Sequence, residues 1–173
     1  MYYYMFPTAF GYAAILFEKE PFLVKRVLLP HSKKSLIKKQ ILGTGPATAA
    51  RTREAHNLCQ DIQAYFSGSP LEPPWSLLDL SILTPLQRLA LEAVSAVPRG
   101  STQTYGQIAE QIGRPRACRF VGTTLARNPF PVLIPCHRIV RANGSPGGFS
   151  GGTELKRRML ALEKVVPHSK QTC

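Results

Sequence analysis

Pro135-Cys136-His137-Arg138 sets a nucleophile, a base and a cation in immediate succession. The approach to it, residues 128–134 (NPFPVLI), is apolar. With Pro135 it carries three prolines, which fix the backbone and hold the thiol in one direction. An imidazole and a guanidinium beside a cysteine favour the thiolate, the form that attacks. A cysteine on its own is more often a buried structural residue. Here, however, residues 143–152 (NGSPGGFSGG) follow closely as a glycine-rich loop, which lets backbone approach a ligand. A papain-type hydrolase would draw its histidine and asparagine from distant parts of the chain, so hydrolysis fits poorly.

Well-punctuated helix starts precede that segment. Thr84-Pro85-Leu86-Gln87 offers an N-cap, a proline at the first helical position and a glutamine to close a capping box. Leu86, Leu89, Ala90, Ala93, Val94 and Val97 follow on one face, and Pro98-Arg99-Gly100 stops the helix. Thr104-Tyr105-Gly106-Gln107 repeats the box and predicts a short helix to Ile112. Gly113-Arg114-Pro115 reads as a tight turn, and 115–127 as a second helix carrying Arg116, Arg119 and Arg127. Two short helices about a glycine-containing turn form a helix-turn-helix pattern, although many such pairs are purely structural.

Nearer the start, residues 8–17 and 22–29 are aromatic or β-branched runs separated by Glu18-Lys19-Glu20-Pro21, which predicts a hairpin. Residues 31–47 read as loop with a short helix at 34–41. Ala55, Leu58, Cys59, Ile62, Tyr65 and Phe66 give 50–66 a helical period. Gly68 and the prolines at 70, 73 and 74 end that helix, and the domain boundary falls between 75 and 84. Residues 166–173 read as a frayed tail.

Charge divides the same way. The 173 residues hold 22 Lys+Arg and 10 Asp+Glu, a formal charge of +12. Residues 1–97 carry ten basic and seven acidic side chains, and residues 98–173 carry twelve and three. Arginine dominates the second part and pairs bidentately with phosphate, so the partner it fits is a polyanion, nucleic acid above all. A surface tuned only for solubility is the plainer alternative. A hydrophobic share of 44% with 18% charged residues excludes wholesale disorder. Cysteines 59, 118, 136 and 173 form no close pair, which argues against a disulfide framework or zinc knuckle and for a reducing compartment. Residues 1–17 are uncharged but lack a basic leader, and Pro7 and Gly11 interrupt them, so they read as strand rather than as signal or membrane anchor.

Six blocks, in order, resemble the O6-alkylguanine-DNA alkyltransferases, also called methylated-DNA–protein-cysteine methyltransferases. They are 104–109 (TYGQIA), 117–122 (ACRFVG), Asn128-Pro129, 134–138 (IPCHR), Ser150-Gly151-Gly152, and Leu155-Lys156 with Leu160 and Glu163. The resemblance is dense over 75–163 and loose before it.

It implies an α/β (α+β) fold. A small N-terminal β-sheet with helix, ribonuclease H-like, would span 1–78 as a supporting domain. A mainly helical, winged-helix-like catalytic domain with the helix-turn-helix would span 79–165. It also implies a duplex partner carrying O6-alkylguanine (O4-alkylthymine less well), bound through the minor groove by a monomer with no cofactor and no membrane. The location is cytoplasmic at the nucleoid in a prokaryote, nuclear in a eukaryote. The base is flipped out, and Arg119 fills the vacated stack.

Cys136 then takes the alkyl group irreversibly, His137 accepts the thiol proton through a water, and Glu163 orients the imidazole. Tyr105 and Ser150 would serve the base, with Asn128 tethering the active-site loops, and Pro131, Phe149 and Gly151 would line the pocket. Arg114, Arg116, Arg127, Thr104, Gln107 and Phe120 would complete the DNA contacts. Arg138 matches a family position and reads as structural. Phe149 stands where many members have Tyr, and Cys118 and Phe120 flank the finger where small residues are frequent. With no Cys/His set in the N-terminal part, no structural metal is expected. The alternatives are a non-catalytic helix-turn-helix sensor of altered bases, against which Cys136 argues, and a Cys hydrolase.

Overall fold

The computed structural model describes residues 1–164; the expected tail at 166–173 lies outside them. Among these residues the fold is mixed α/β, and the chain divides into two units. One comprises Met1–Asp79 with Pro129–Leu133, the other Leu80–Asn128 with the chain from Ile134 onward. Residues 129–133, expected within a continuous second domain, cluster instead with the first unit.

The first unit opens with three strands where the sequence suggests two. Tyr2–Thr8 (β1), Gly11–Lys19 (β2) and Phe22–His31 (β3) run antiparallel. The run expected as one strand over 8–17 reverses at Thr8, whose hydroxyl donates to the Gly11 carbonyl at 2.7 Å and accepts from the Phe10 N–H at 3.1 Å. No Asn or Asp marks that turn; Pro7 just before it and Gly11, at φ +121°, are its signals. A Cβ on Gly11 would lie 2.5 Å from the His31 carbonyl oxygen of β3. Gly11→Ala therefore combines backbone strain with a backbone clash, and a loss of about 2–4 kcal/mol is expected in denaturant unfolding. A wild-type midpoint in that variant would show that the turn relaxes freely.

Lys34–Gly43 (α1) and Arg53–Phe66 (α2) cover this sheet, and Thr48–Ala49 (β4) adds to β1 in parallel, giving the order β3-β2-β1-β4. Ile37 and Ile41 of α1 pack with Ala14, Leu16 and Leu28. The opposite side of β2, with Ala13, Ile15 and Phe17, is equally buried. On that side α2 meets Tyr4 through His56, and its Phe66 meets Phe10 with ring centroids 5.1 Å apart. After the Pro-rich stretch, the Asp79 N–H donates to Val24 O at 2.9 Å, and Lys25 Nζ meets the Asp79 carboxylate at 2.6 Å. The 129–133 excursion joins β3 through Val27 N–H donating to Pro129 O at 2.8 Å.

The second unit begins at the helix predicted from Thr84. Both arms of the capping box are made, and Pro85–Ser95 (α3) buries Ala90, Leu91 and Val94. Gln103–Thr104 (β5) leads into Tyr105–Gln111 (α4), whose box is also complete: Gln107 N–H donates to the Thr104 hydroxyl at 3.2 Å, and Thr104 N–H to Gln107 Oε1 at 2.7 Å. Cys118–Ala126 (α5) packs against α4. It starts three residues later than expected, because 114–117 closes as a turn, with Ala117 N–H donating to Arg114 O at 2.8 Å. Ile139–Val140 (β6) pairs in parallel with β5, and Thr153–Leu162 (α6) follows the glycine-rich loop. Among the described residues no helix is long and apolar enough to cross a membrane.

Candidate active site

Cys136, His137 and Arg138 form a single 3-10 turn in which every residue is buried. Pro135 precedes it, Cys136 N–H donates to Ile134 O at 2.8 Å, and Arg138 N–H donates to Pro135 O at 2.9 Å. The chain then enters β6, where Ile139 pairs with Gln103 and Val140 with Thr104. This two-residue parallel ladder brings the start of α4, and so Tyr105, beside the cysteine turn.

Behind the turn lies Glu163, the residue that closes α6. His137 Nε2 is 2.9 Å from Glu163 Oε1. An ionised carboxylate only accepts, so Nε2 carries the proton and Nδ1 is the basic atom of the ring. Arg138 holds the same carboxylate with two bonds, Nε to Oε2 at 2.9 Å and Nη2 to Oε1 at 3.0 Å, and donates from Nη1 to Val97 O at 2.7 Å. Arg99 reaches the end of α6 through the Leu162 carbonyl at 3.3 Å, and Gly100 lets its backbone pass the Glu163 carbonyl closely. Burial pushes the Glu163 carboxyl up, but the bonds and charge from His137 and Arg138 overrule that and hold it well below the usual carboxylate range. Burial also lowers the His137 pKa, against the pull of Glu163, so the resting imidazole is neutral.

The thiol does not rest as the thiolate that its neighbours in sequence suggest. Burial pushes Cys136 up; a hydrogen bond from the Asn128 side chain and the charge of Lys156 pull it part of the way back. Arg138 contributes to Glu163 instead of to sulfur. Asn128 also donates Nδ2 to Ile134 O at 3.3 Å, which links the exit of α5 to the residue two before Cys136. Arg127 caps α5.

Lys156, on the buried face of α6, is the side chain at the site to which the sequence alone assigned no role. It has no exposed surface, donates from Nζ to Ile139 O, and lies 5.9 Å from the Tyr105 ring centroid. Burial lowers it to about 8, and the charge of Cys136 opposes that shift. It sits beside Leu155 on the inner face of a helix whose other basic residues, Arg157 and Arg158, are exposed, an arrangement that the sequence does not signal. Tyr105 is half-buried, and burial first, then Cys136, raises its pKa. A Cβ on Gly147 would come within 2.9 Å of the Tyr105 hydroxyl, so the glycine-rich loop lies directly on that side chain.

The remaining expected residues fall in three places. Arg114, Arg116 and Arg119 are exposed on the helix-turn-helix, Phe120 is half-buried and Arg127 is exposed at the end of α5. Thr104 and Gln107 spend polar atoms on the α4 box. Phe149, half-buried, and the exposed Ser150 and Gly151 lie on the loop between β6 and α6, whereas Pro131 belongs to the excursion in the first unit. Cys59, Cys118 and Cys136 are free thiols, and no group of three His, Cys, Asp or Glu able to hold a metal occurs among the described residues.

A buried thiol, followed by a histidine that a clamped glutamate holds, sits in a unit whose α4 and α5 form a helix-turn-helix, which places the chain in the helix-turn-helix class of α/β proteins. Residues 85–165 match the family model described as the DNA binding domain of 6-O-methylguanine DNA methyltransferase. The methylated-DNA–protein-cysteine methyltransferase of Methanopyrus kandleri is 40% identical over 126 residues, covering 72% of this chain and 91% of that protein. That of Methanothermobacter thermautotrophicus is 42% identical over 108 residues, 62% of this chain, and the match spans only 60% of the relative's length. The crystal structure of Mycobacterium tuberculosis OGT in complex with DNA superposes with a TM-score of 0.77 at 28% identity, covering 95% of this chain and 93% of that one. The chain belongs to the methylated-DNA–protein-cysteine methyltransferase family.

Proposed function

We propose that this protein repairs DNA by moving an alkyl group from guanine O6 of a flipped-out base, and less well from thymine O4, onto Cys136. The observation that carries this is the buried Cys136 directly followed by His137, whose Nε2 meets the Glu163 carboxylate that Arg138 clamps, with the charge of Lys156 acting on the sulfur. In the reaction the thiol proton passes through a water to His137 Nδ1. The imidazolium so formed lies against the Glu163 carboxylate, and the thiolate against Lys156 and Asn128. Sulfur attacks the alkyl carbon in line, an S–C bond forms as the C–O6 bond breaks, and the bonding pair leaves with guanine. Tyr105 and Ser150 supply donors where that negative charge develops. The thioether has no good leaving group, so each protein molecule reacts once, as a monomer.

Duplex DNA would be met by the exposed arginines of the helix-turn-helix through the minor groove, with Arg119 replacing the flipped base. Arg119→Ala is expected to slow transfer from duplex by about 10-fold or more, on the order of the unstacking energy no longer offset, and to leave transfer from a free alkylated base nearly untouched. Equal losses on both substrates would remove the finger role. The test of the function itself is Cys136→Ala, which should still bind the lesion yet accept no alkyl group. An unaltered transfer in that variant would end the proposal, and lesion binding by a wild type that never transfers would favour a sensor.

A further inference from the structure

The basic bias of the chain is concentrated a second time, far from the helix-turn-helix in sequence. Residues 21–53 contain eight Lys and Arg and no Asp or Glu. In the first unit this stretch forms β3, α1, β4 and the start of α2. Lys33, Lys34, Lys38 and Lys39 are all exposed around α1, because Ile37 and Ile41 turn its apolar stripe into the sheet. Arg26, also exposed, stands opposite Leu16 in the β2–β3 register and so shares the face that α1 covers. Glu20 and Glu54 lie just outside this stretch, at its two ends, while Glu18 is engaged by the N-terminal ammonium at 3.8 Å and Asp79 by Lys25.

That arrangement works against the helix that carries it. Lys33 and Lys34 sit at the positive end of the α1 dipole, with no acidic residue in the first turn. Lys34 and Lys38 are like charges one turn apart, which destabilises a helix, and no i,i+4 acid relieves them. A face selected only for solubility intersperses both signs. Like charges held close against local stability are what a polyanionic partner neutralises, with release of its counterions. Ile37 and Ile41 of α1 are taken up by the sheet, and its two exposed leucines, Leu36 and Leu42, lie six residues and so about a third of a turn apart around the helix, which leaves no continuous apolar face to insert into a lipid surface.

We infer that the α1 face of the N-terminal unit, through Lys33, Lys34, Lys38 and Lys39, is a second binding surface for the phosphate backbone of duplex DNA. It rests on the reading that the protein acts on DNA, and it predicts that the footprint extends beyond the helix-turn-helix.

The experiment compares the full-length protein with its K33Q/K34Q/K38Q/K39Q variant on an undamaged duplex of about 30 base pairs across a salt series. The slope of log affinity against log salt should fall by about 0.9 for each phosphate that the variant no longer neutralises, hence by roughly 2–4 in all. The thermal midpoint should hold or rise, because a like-charge pair is removed, and the charge-reversed K34E/K38E variant should bind more weakly still. An unchanged slope alongside a wild type that binds duplex overturns this surface alone. A wild type without affinity for any duplex overturns the DNA reading as well. A variant that loses binding only to vesicles of anionic phospholipid shows a membrane face and overturns the assignment.

Discussion

Glu163→Gln is expected to cost about 3–5 kcal/mol of stability and about 10²–10⁴-fold in transfer rate. Both effects come from one carboxylate. Its oxygens receive Arg138 twice and His137 once, in a place with almost no solvent. A neutral amide leaves the buried guanidinium without a counter-charge and gives the imidazolium nothing to rest against. In a chain of this size such a loss lowers the unfolding midpoint by roughly 10 °C.

The pH profile separates this from a general packing defect. The folded carboxyl titrates well below the usual range, so as pH falls through about 4 the unfolded chain takes up the proton first and stability drops. His137, also held down, acts in the same direction from about pH 6.5 downward. Wild-type stability should therefore rise between about pH 4 and 7, and the Gln variant should lose part of that slope. A variant with wild-type midpoint and rate at neutral pH would mean that Glu163 neither clamps Arg138 nor supports His137.

Lys156→Met is expected to separate stability from reactivity. The ammonium is buried and at neutral pH keeps its proton, with a carbonyl and the Cys136 sulfur for company. Methionine matches its length, removes a desolvated charge and gives up the bond to Ile139 O, so the two terms largely offset and the midpoint should move by only a few degrees. The rate should fall by about 10²-fold or more, since the cation that faces the forming thiolate is gone. Lys156 loses its proton near pH 8 in the folded protein, against about 10.5 when unfolded, so wild-type transfer should decline above pH 8 while the Met variant shows no such limb. Over the same span the folded protein gives up the proton first, and this group adds stability as pH rises from about 8 to 10.5. A Met variant that transfers at the wild-type rate would leave Lys156 a structural residue.

What is legible in the sequence is local. Thr84 and Thr104 announce their helices because a capping box is written in four consecutive residues and closes on itself. The period of 55–66 gives α2 for the same reason. The turn at Thr8–Gly11 is hidden because its stabilising atoms are a threonine hydroxyl and a glycine amid aromatics, without Asn or Asp. Cys136 and His137 stand out by adjacency and Glu163 by resemblance. The Arg138 clamp and the burial of Lys156 are not readable, because each depends on α6 folding back on a turn some twenty residues earlier in the chain. The resting state of the thiol is hidden for a related reason: adjacency in sequence puts Arg138 next to sulfur, while the fold turns it toward Glu163.

The most direct measurement is the intact mass of the protein after mixing with excess duplex containing one O6-methylguanine. One methyl group per molecule, on the peptide that carries Cys136, reached and never exceeded however long the incubation, is the expected result. A mass unchanged after full incubation, or a methyl found on any other residue, would contradict Cys136 as the single-turnover acceptor.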